Sequence, residues 1–129
     1  MHFICHIDKE IYKVVTPDIT TDEVIITDLQ IQHIKDRHPN DYERFSAFFA
    51  EVLMSPDYIL EDNRPNTAIV LKEIEVSGEK LKLILRLHTS TDPKEYKNSI
   101  ITAQKIENKR FFRYLRNATI LYCCHKDMV

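Results

Sequence analysis

The 129-residue sequence contains one glycine, Gly78, and no tryptophan. That scarcity of glycine excludes several phosphate-handling devices at once. A dinucleotide fold needs GxGxxG, and a Walker loop needs GxxxxGK[ST]. A GxSxG nucleophile elbow also needs more than one. Any phosphate chemistry therefore falls to side chains and helix N-termini, not to a glycine-rich backbone cradle. Long apolar runs are missing too: none approaches the roughly 18 residues of a membrane span. The start, Met1-His2-Phe3-Ile4-Cys5-His6-Ile7, is too short and too polar to read as a signal peptide. Three cysteines make an odd count, which argues against a full disulfide framework. These features predict a reduced, cytoplasmic protein with no membrane segment.

What is present suffices for a single domain over residues 1–129, with 43% hydrophobic residues to build one core. The formal net charge of −2 hides an asymmetry. Residues 1–64 carry 6 Lys and Arg against 13 Asp and Glu, whereas residues 65–129 carry 12 against 7. A basic second half suits a polyanion, although ordinary surface charge would look the same.

Local patterns predict the elements. Phe3 to Ile7 and Tyr12 to Val15 are β-prone, and Val24-Ile25-Ile26 is short and apolar. Thr27 and Gln30 fit a capping box, so a helix is expected from there to His38, where Pro39 stops it. Asn40-Asp41 can cap a second helix over 42–54, whose Phe45, Phe48, Phe49, Val52 and Leu53 form one apolar stripe. The period then shifts. Strands are expected at 58–60, 67–76, 81–88 and 98–106, with a helix at 109–116 and a last strand at 119–124. Gly78 sits in the turn between two of these strands and supplies a positive φ there. Helices followed by a meander predict an α+β fold, not α/β.

Two polar groupings stand out. His33 and Arg37 share a helix face, about 40° apart, while His38 lies about 140° from His33. A zinc pair on one helix needs a spacing of three or four, so this HxxxxH is wrong for metal. His38 reads either as a core histidine at a helix end or as a reactive one. Strand 81–88 places Leu81, Leu83, Leu85 and Leu87 on one face and Lys82, Ile84, Arg86 and His88 on the other. Asn98 and Thr102 share a face of the 98–106 strand, in a register the sequence leaves open. Histidines beside Arg and Lys suit metal-independent RNA cleavage. The substrate's 2′-OH is the nucleophile, His moves protons, and Arg steadies the phosphate. Loop 89–97 brings Lys94, Tyr96 and Lys97 as further contacts to phosphate or a stacked base. The basic helix around Lys109 to Arg116 reads as a packed amphipathic helix or a phosphate contact. Cys123-Cys124-His125 with His2, Cys5 and His6 carries ligand-type side chains, but strand neighbours point to opposite faces. No metal or other cofactor is expected.

Taken in order, several segments resemble the phage-associated branch of the barnase–EndoU–colicin–RelE-like nucleases, the PBECR domains. They are His33-Ile34-Lys35-Asp36-Arg37-His38-Pro39, Ser55-Pro56-Asp57-Tyr58-Ile59, Pro65-Asn66-Thr67, Leu83-Ile84-Leu85-Arg86-Leu87 and Asn98-Ser99-Ile100-Ile101-Thr102-Ala103. The short helix around Phe111 to Leu115 completes the set. The resemblance covers roughly residues 24–124. It implies N-terminal helices packed on a four- to five-stranded antiparallel sheet. It also implies a metal-independent ribonuclease acting on tRNA, mRNA or another structured RNA, in a phage, mobile-element or toxin setting, where an inhibitor or immunity protein is a natural partner. By the same resemblance His33, Arg37 and His38 match the polar helix motif, Arg86 the strand cation, and Asn98, Ser99 and Thr102 the polar strand motif. Lys82, His88 and Lys94 join as substrate-side residues from strand and loop geometry alone. The alternative is a non-catalytic RNA- or protein-binding regulator that keeps the nuclease fold.

Overall fold

A computed structural model describes residues 1–124. In chain order the elements are β1 (His2–His6), α1 (Lys9–Tyr12), β2 (Glu23–Ile26), α2 (Asp28–Arg37), α3 (Asp41–Phe45), a 3-10 turn (Ser46–Phe48), α4 (Phe49–Met54), β3 (Tyr58–Glu61), β4 (Thr67–Glu73), β5 (Lys80–Arg86), β6 (Asn98–Ile106), α5 (Asn108–Asn117) and β7 (Ile120–Cys123). The strands form one seven-stranded sheet in the order β1-β2-β6-β5-β4-β3-β7. β2 and β6 run parallel and every other neighbouring pair is antiparallel.

This corrects the expectation of a four- to five-stranded antiparallel sheet behind N-terminal helices. A strand comes first, the sheet is larger, and it is mixed. The physical reason lies in the short apolar segments. β2 pairs with β6 at only two positions, Val24 with Asn98 and Ile25 with Ser99. Its Val24 and Ile26 are nevertheless fully buried, so packing holds a strand that its length would not. Residues 12–15 form no strand. Tyr12 ends α1, with its ring buried and its hydroxyl donating to the Leu53 carbonyl at 2.7 Å. The expected 42–54 helix breaks into α3, the 3-10 turn and α4, yet Phe45, Phe49, Val52 and Leu53 of its stripe are all buried.

Other local signals act as their spacing predicts. Thr27 Oγ1 accepts from the Gln30 N–H at 3.2 Å and Gln30 Oε1 accepts from the Thr27 N–H at 3.3 Å, which closes the capping box. Gly78 has φ +72°, and its N–H donates to the Ile74 carbonyl at 2.7 Å.

Both sheet faces are covered, unequally. Leu81, Leu83, Leu85 and Leu87 pack with Ile34, Phe49 and Leu53 of the helices before β3. On the other face Ile69, Ile84 and Ile106 pack with Phe111 of α5. β6 carries one irregularity. Ile84 pairs with Thr102 and Leu85 with Ile100, so Ile101 is an extra residue, a β-bulge. Before it, Asn98 and Ile100 face the large core. After it, Thr102 and Gln104 face the α5 side with Ile84 and Lys82.

The Tyr12 hydroxyl gives a stability prediction. Tyr12→Phe leaves the buried Leu53 carbonyl without this donor and is expected to destabilise by about 1–2 kcal/mol. A urea midpoint equal to wild type would refute it.

Candidate functional site

The α5 side of the sheet carries a cleft of about 380 Å³. Lys82 and Ile84 reach it from β5, and the bulge turns Thr102 and Gln104 toward them. α2 packs beside β6 where β2 leaves off. It sends His33, Arg37 and the terminal His38 into the same cleft. Tyr114 of α5 and Asp62 and Arg64 from the β3–β4 connection close the wall. Thus five residues singled out from sequence, His33, Arg37, His38, Lys82 and Thr102, converge.

Lys82 is 8% exposed and its ammonium donates to Tyr114 Oη at 2.9 Å. Among the described residues no carboxylate lies within ion-pair distance of it. Arg110 also donates to Tyr114 Oη, at 3.3 Å. Burial pushes the phenol's pKa up, but the hydrogen bonds and charges of Lys82 and Arg110 together outweigh it and hold it below the usual tyrosine range. His38 is half-buried. Desolvation holds its pKa below that of an ordinary histidine. Asp41 opposes this, while Lys82, Arg110 and Arg37 add to it. Arg64 is aimed by Asp62, which accepts from its Nε at 2.8 Å and its backbone N–H at 2.8 Å. The hydrogen bond from the Arg64 side chain, above all, keeps the Asp62 carboxyl below the usual carboxylate range.

Arg86, His88 and Ser99 stand elsewhere. They line a second cavity of about 330 Å³ with Thr27 and Tyr96. Ser99 pairs with Arg86 across the strands, so both lie on the α5 side. Four residues of extended chain separate Arg86 from Lys82, about 13 Å. Arg86 is ion-paired to Asp92 at 3.0 Å and also donates to the Leu87 carbonyl. His88 is buried and both ring nitrogens are engaged. Nε2 donates to the Pro93 carbonyl at 2.7 Å, and Nδ1 faces the Thr20 hydroxyl. Asn98 is fully buried; its Oδ1 accepts from the His88 N–H at 2.7 Å and its amide donates to the carbonyls of Thr21 and Glu23. Lys94 is exposed on the 89–97 loop, outside both cavities.

Asp62, Arg64, Gln104 and Tyr114 escaped the sequence reading. Asp62 and Arg64 had a signal, an Asp two residues before an Arg in a turn, which is the Asx-turn pattern. Gln104 falls on the Thr102 face in the strand alternation, but a lone amide carries no signal of its own. Tyr114 was visible only as one residue of the basic amphipathic helix, and its bonds to Lys82 and Arg110 are set by packing.

Among the described residues no group of three or more His, Cys, Asp or Glu is placed to hold a metal ion. Cys5 is buried and its thiol pKa is pushed up to about 11 by desolvation. Cys123 is exposed and Cys124 half-buried; His125 lies outside the described residues.

The family described as phage-Barnase-EndoU-ColicinE5/D-RelE like nuclease2, PBECR2, matches residues 3–123. The chain belongs to PBECR2. The match reaches back to β1, beyond the segment from residue 24 that carries the sequence resemblance. PBECR2 membership makes this a nuclease of the barnase, EndoU, colicin and RelE type, with a nucleic acid as substrate. No curated protein and no solved structure matches the chain. No helix among the described residues is long and apolar enough to cross a membrane.

Proposed function

We propose that this PBECR2 protein is a metal-independent RNA endonuclease whose reaction centre is the cleft around Lys82. The supporting observation is the meeting there of a half-buried His38 with a lowered pKa, a Lys82 with no carboxylate partner among the described residues, and a Tyr114 bonded by two cations. His38 takes the proton from the substrate's 2′-OH. O2′ then attacks phosphorus and the P–O5′ bond breaks. Tyr114 protonates the departing O5′, while Lys82 and Arg110 steady the phenolate left behind. The products are a 2′,3′-cyclic phosphate and a 5′-hydroxyl. Lys82, Arg37 and Arg64 stabilise the extra charge on phosphorus. His33 and Thr102 orient the phosphate. Arg86 and Ser99, next along the same face, hold the adjoining nucleotide. Among the described residues the one carboxylate lining the cleft, Asp62, is occupied by Arg64, so the charge stabilisers are Lys and Arg side chains.

The test uses matched RNA, DNA and 2′-O-methyl oligonucleotides in EDTA. RNA alone is expected to be cut, leaving cyclic phosphate ends. Cutting of DNA, or loss of activity in EDTA, would overturn the proposal. RNA binding without fragments would favour a non-catalytic regulator.

The assignment of His38 carries a pH prediction. A base must be unprotonated, and the lowered pKa keeps it so further into acid. Cleavage is expected to hold steady from neutrality down past about 6.5, the ordinary histidine value, and to fall only below it. An acid limb centred above that value would exclude His38.

A further inference from the structure

The 108–117 segment of α5 reads Asn-Lys-Arg-Phe-Phe-Arg-Tyr-Leu-Arg-Asn: four cations and no carboxylate. At 100° per residue Arg110, Arg113, Lys109 and Arg116 fall within about 120° of arc. Phe111 and Leu115 lie opposite them and pack on the sheet. All four cations are exposed, and none is ion-paired among the described residues. Such a concentration of one sign repels itself and is tolerated only at a cost to stability. The helix is nevertheless rigidly seated. Phe111 is buried and stacks edge-on against Tyr58, and Asn108 accepts from Lys80 at 2.8 Å.

This basic arc is continuous with the cleft. A groove of about 400 Å³ is lined by Arg110, Arg113, Tyr114, Asn117 and Ala118. Tyr114 is also a wall of the cleft, so one side chain bounds both spaces.

We infer that the Arg110–Arg116 face of α5 is a track for the phosphates of a single RNA strand that leaves the cleft past Tyr114. The inference rests on the reaction centre proposed above. It adds that the substrate is a strand extending well beyond the scissile nucleotides. The ligand chemistry is set by the charge: successive phosphodiesters, met by exposed guanidinium groups with no competing carboxylate on the helix. Sequence is not read here, because the track touches backbone and not bases.

The experiment compares wild type with Arg113→Gln/Arg116→Gln, which leaves Tyr114 and Arg110 in place. Binding of a 12-nucleotide 2′-O-methyl RNA, which cannot be cut, is measured by fluorescence anisotropy across a salt series. Two lost phosphate contacts are expected to flatten the slope of log affinity against log salt by about 1.4, at about 0.7 per contact. In parallel, the ratio of kcat/KM for a 12-mer over a dinucleotide is expected to fall, through KM. An unchanged slope with an unchanged ratio would overturn the track and leave the arc for an acidic protein partner. The anisotropy arm does not need cleavage. A protein that never cuts RNA but shows the flattened slope keeps the track and loses the reaction centre. A protein with no measurable affinity for the 12-mer loses both.

Discussion

Lys82→Met is expected to lower RNA cleavage about 10²- to 10³-fold while leaving the protein as stable as before, or more so. The size of the loss reflects the position of the ammonium. It bonds Tyr114 and stands in the cleft where charge would build on phosphorus, and removal of one such donor typically costs that much. The stability effect runs the other way. Lys82 is almost fully buried, and its hydrogen bond goes to a neutral phenol. A buried charge without an opposite partner is destabilising, and an apolar side chain of similar length removes that burden. A gain of about 1 kcal/mol would raise Tm by roughly 4 °C. Thermal scans and cleavage assays on the same preparation decide the matter. A Met variant that unfolds early would mean that Lys82 is a structural residue. One that retains full activity would move the reaction centre elsewhere.

His38→Ala carries the other large effect, a loss of about 10²- to 10⁴-fold for a general base. The role of His38 in the fold belongs to its backbone. Its N–H donates to the Ile34 carbonyl at 2.8 Å and its carbonyl accepts from the Asp41 N–H at 3.0 Å, and both bonds survive loss of the ring. The half-buried ring leaves only a shallow gap. Activity should therefore fall with little change in Tm, and the residual rate should lose the acid limb assigned to His38. A variant that keeps the wild-type limb would show that another group titrates there.

Several local elements could be read from residues whose chemistry has few solutions. The Thr27–Gln30 box, the stop at Pro39, the turn at Gly78 and the alternation of Leu81 to Leu87 each act as their spacing predicts. The family resemblance was also legible, on the helix, strand and turn segments that the PBECR2 match spans. The size of the sheet and its mixed pairing were not. Two positions of parallel pairing between β2 and β6 leave no periodic trace, because long-range packing creates them. The candidate site was half legible. His33, Arg37, His38, Lys82 and Thr102 stand out in the sequence by residue type, but that the helix face and the strand face share one cleft is seen only in the fold. The bulge at Ile101 changes which β6 residues point outward, and no strand alternation announces an extra residue. Arg86 follows Lys82 on one strand face, and only the third dimension shows that a second cavity receives it.

The clasp around His88 has a thermodynamic consequence. Thr20 meets the His88 ring, Asp18 accepts from the Ser90 hydroxyl at 2.6 Å, and the Asn98 amide donates to the Thr21 carbonyl. The 16–22 and 89–97 segments are thereby tied to each other and to β6. Neither can open without breaking bonds that the other also needs. Their amides are therefore expected to exchange with one opening free energy, as a single cooperative unit rather than two independent loops. A perturbation at Asp18, remote in sequence from Arg86, is then expected to loosen the 89–97 segment, which lines the cavity beside Arg86 through Asp92, Tyr96 and Lys97.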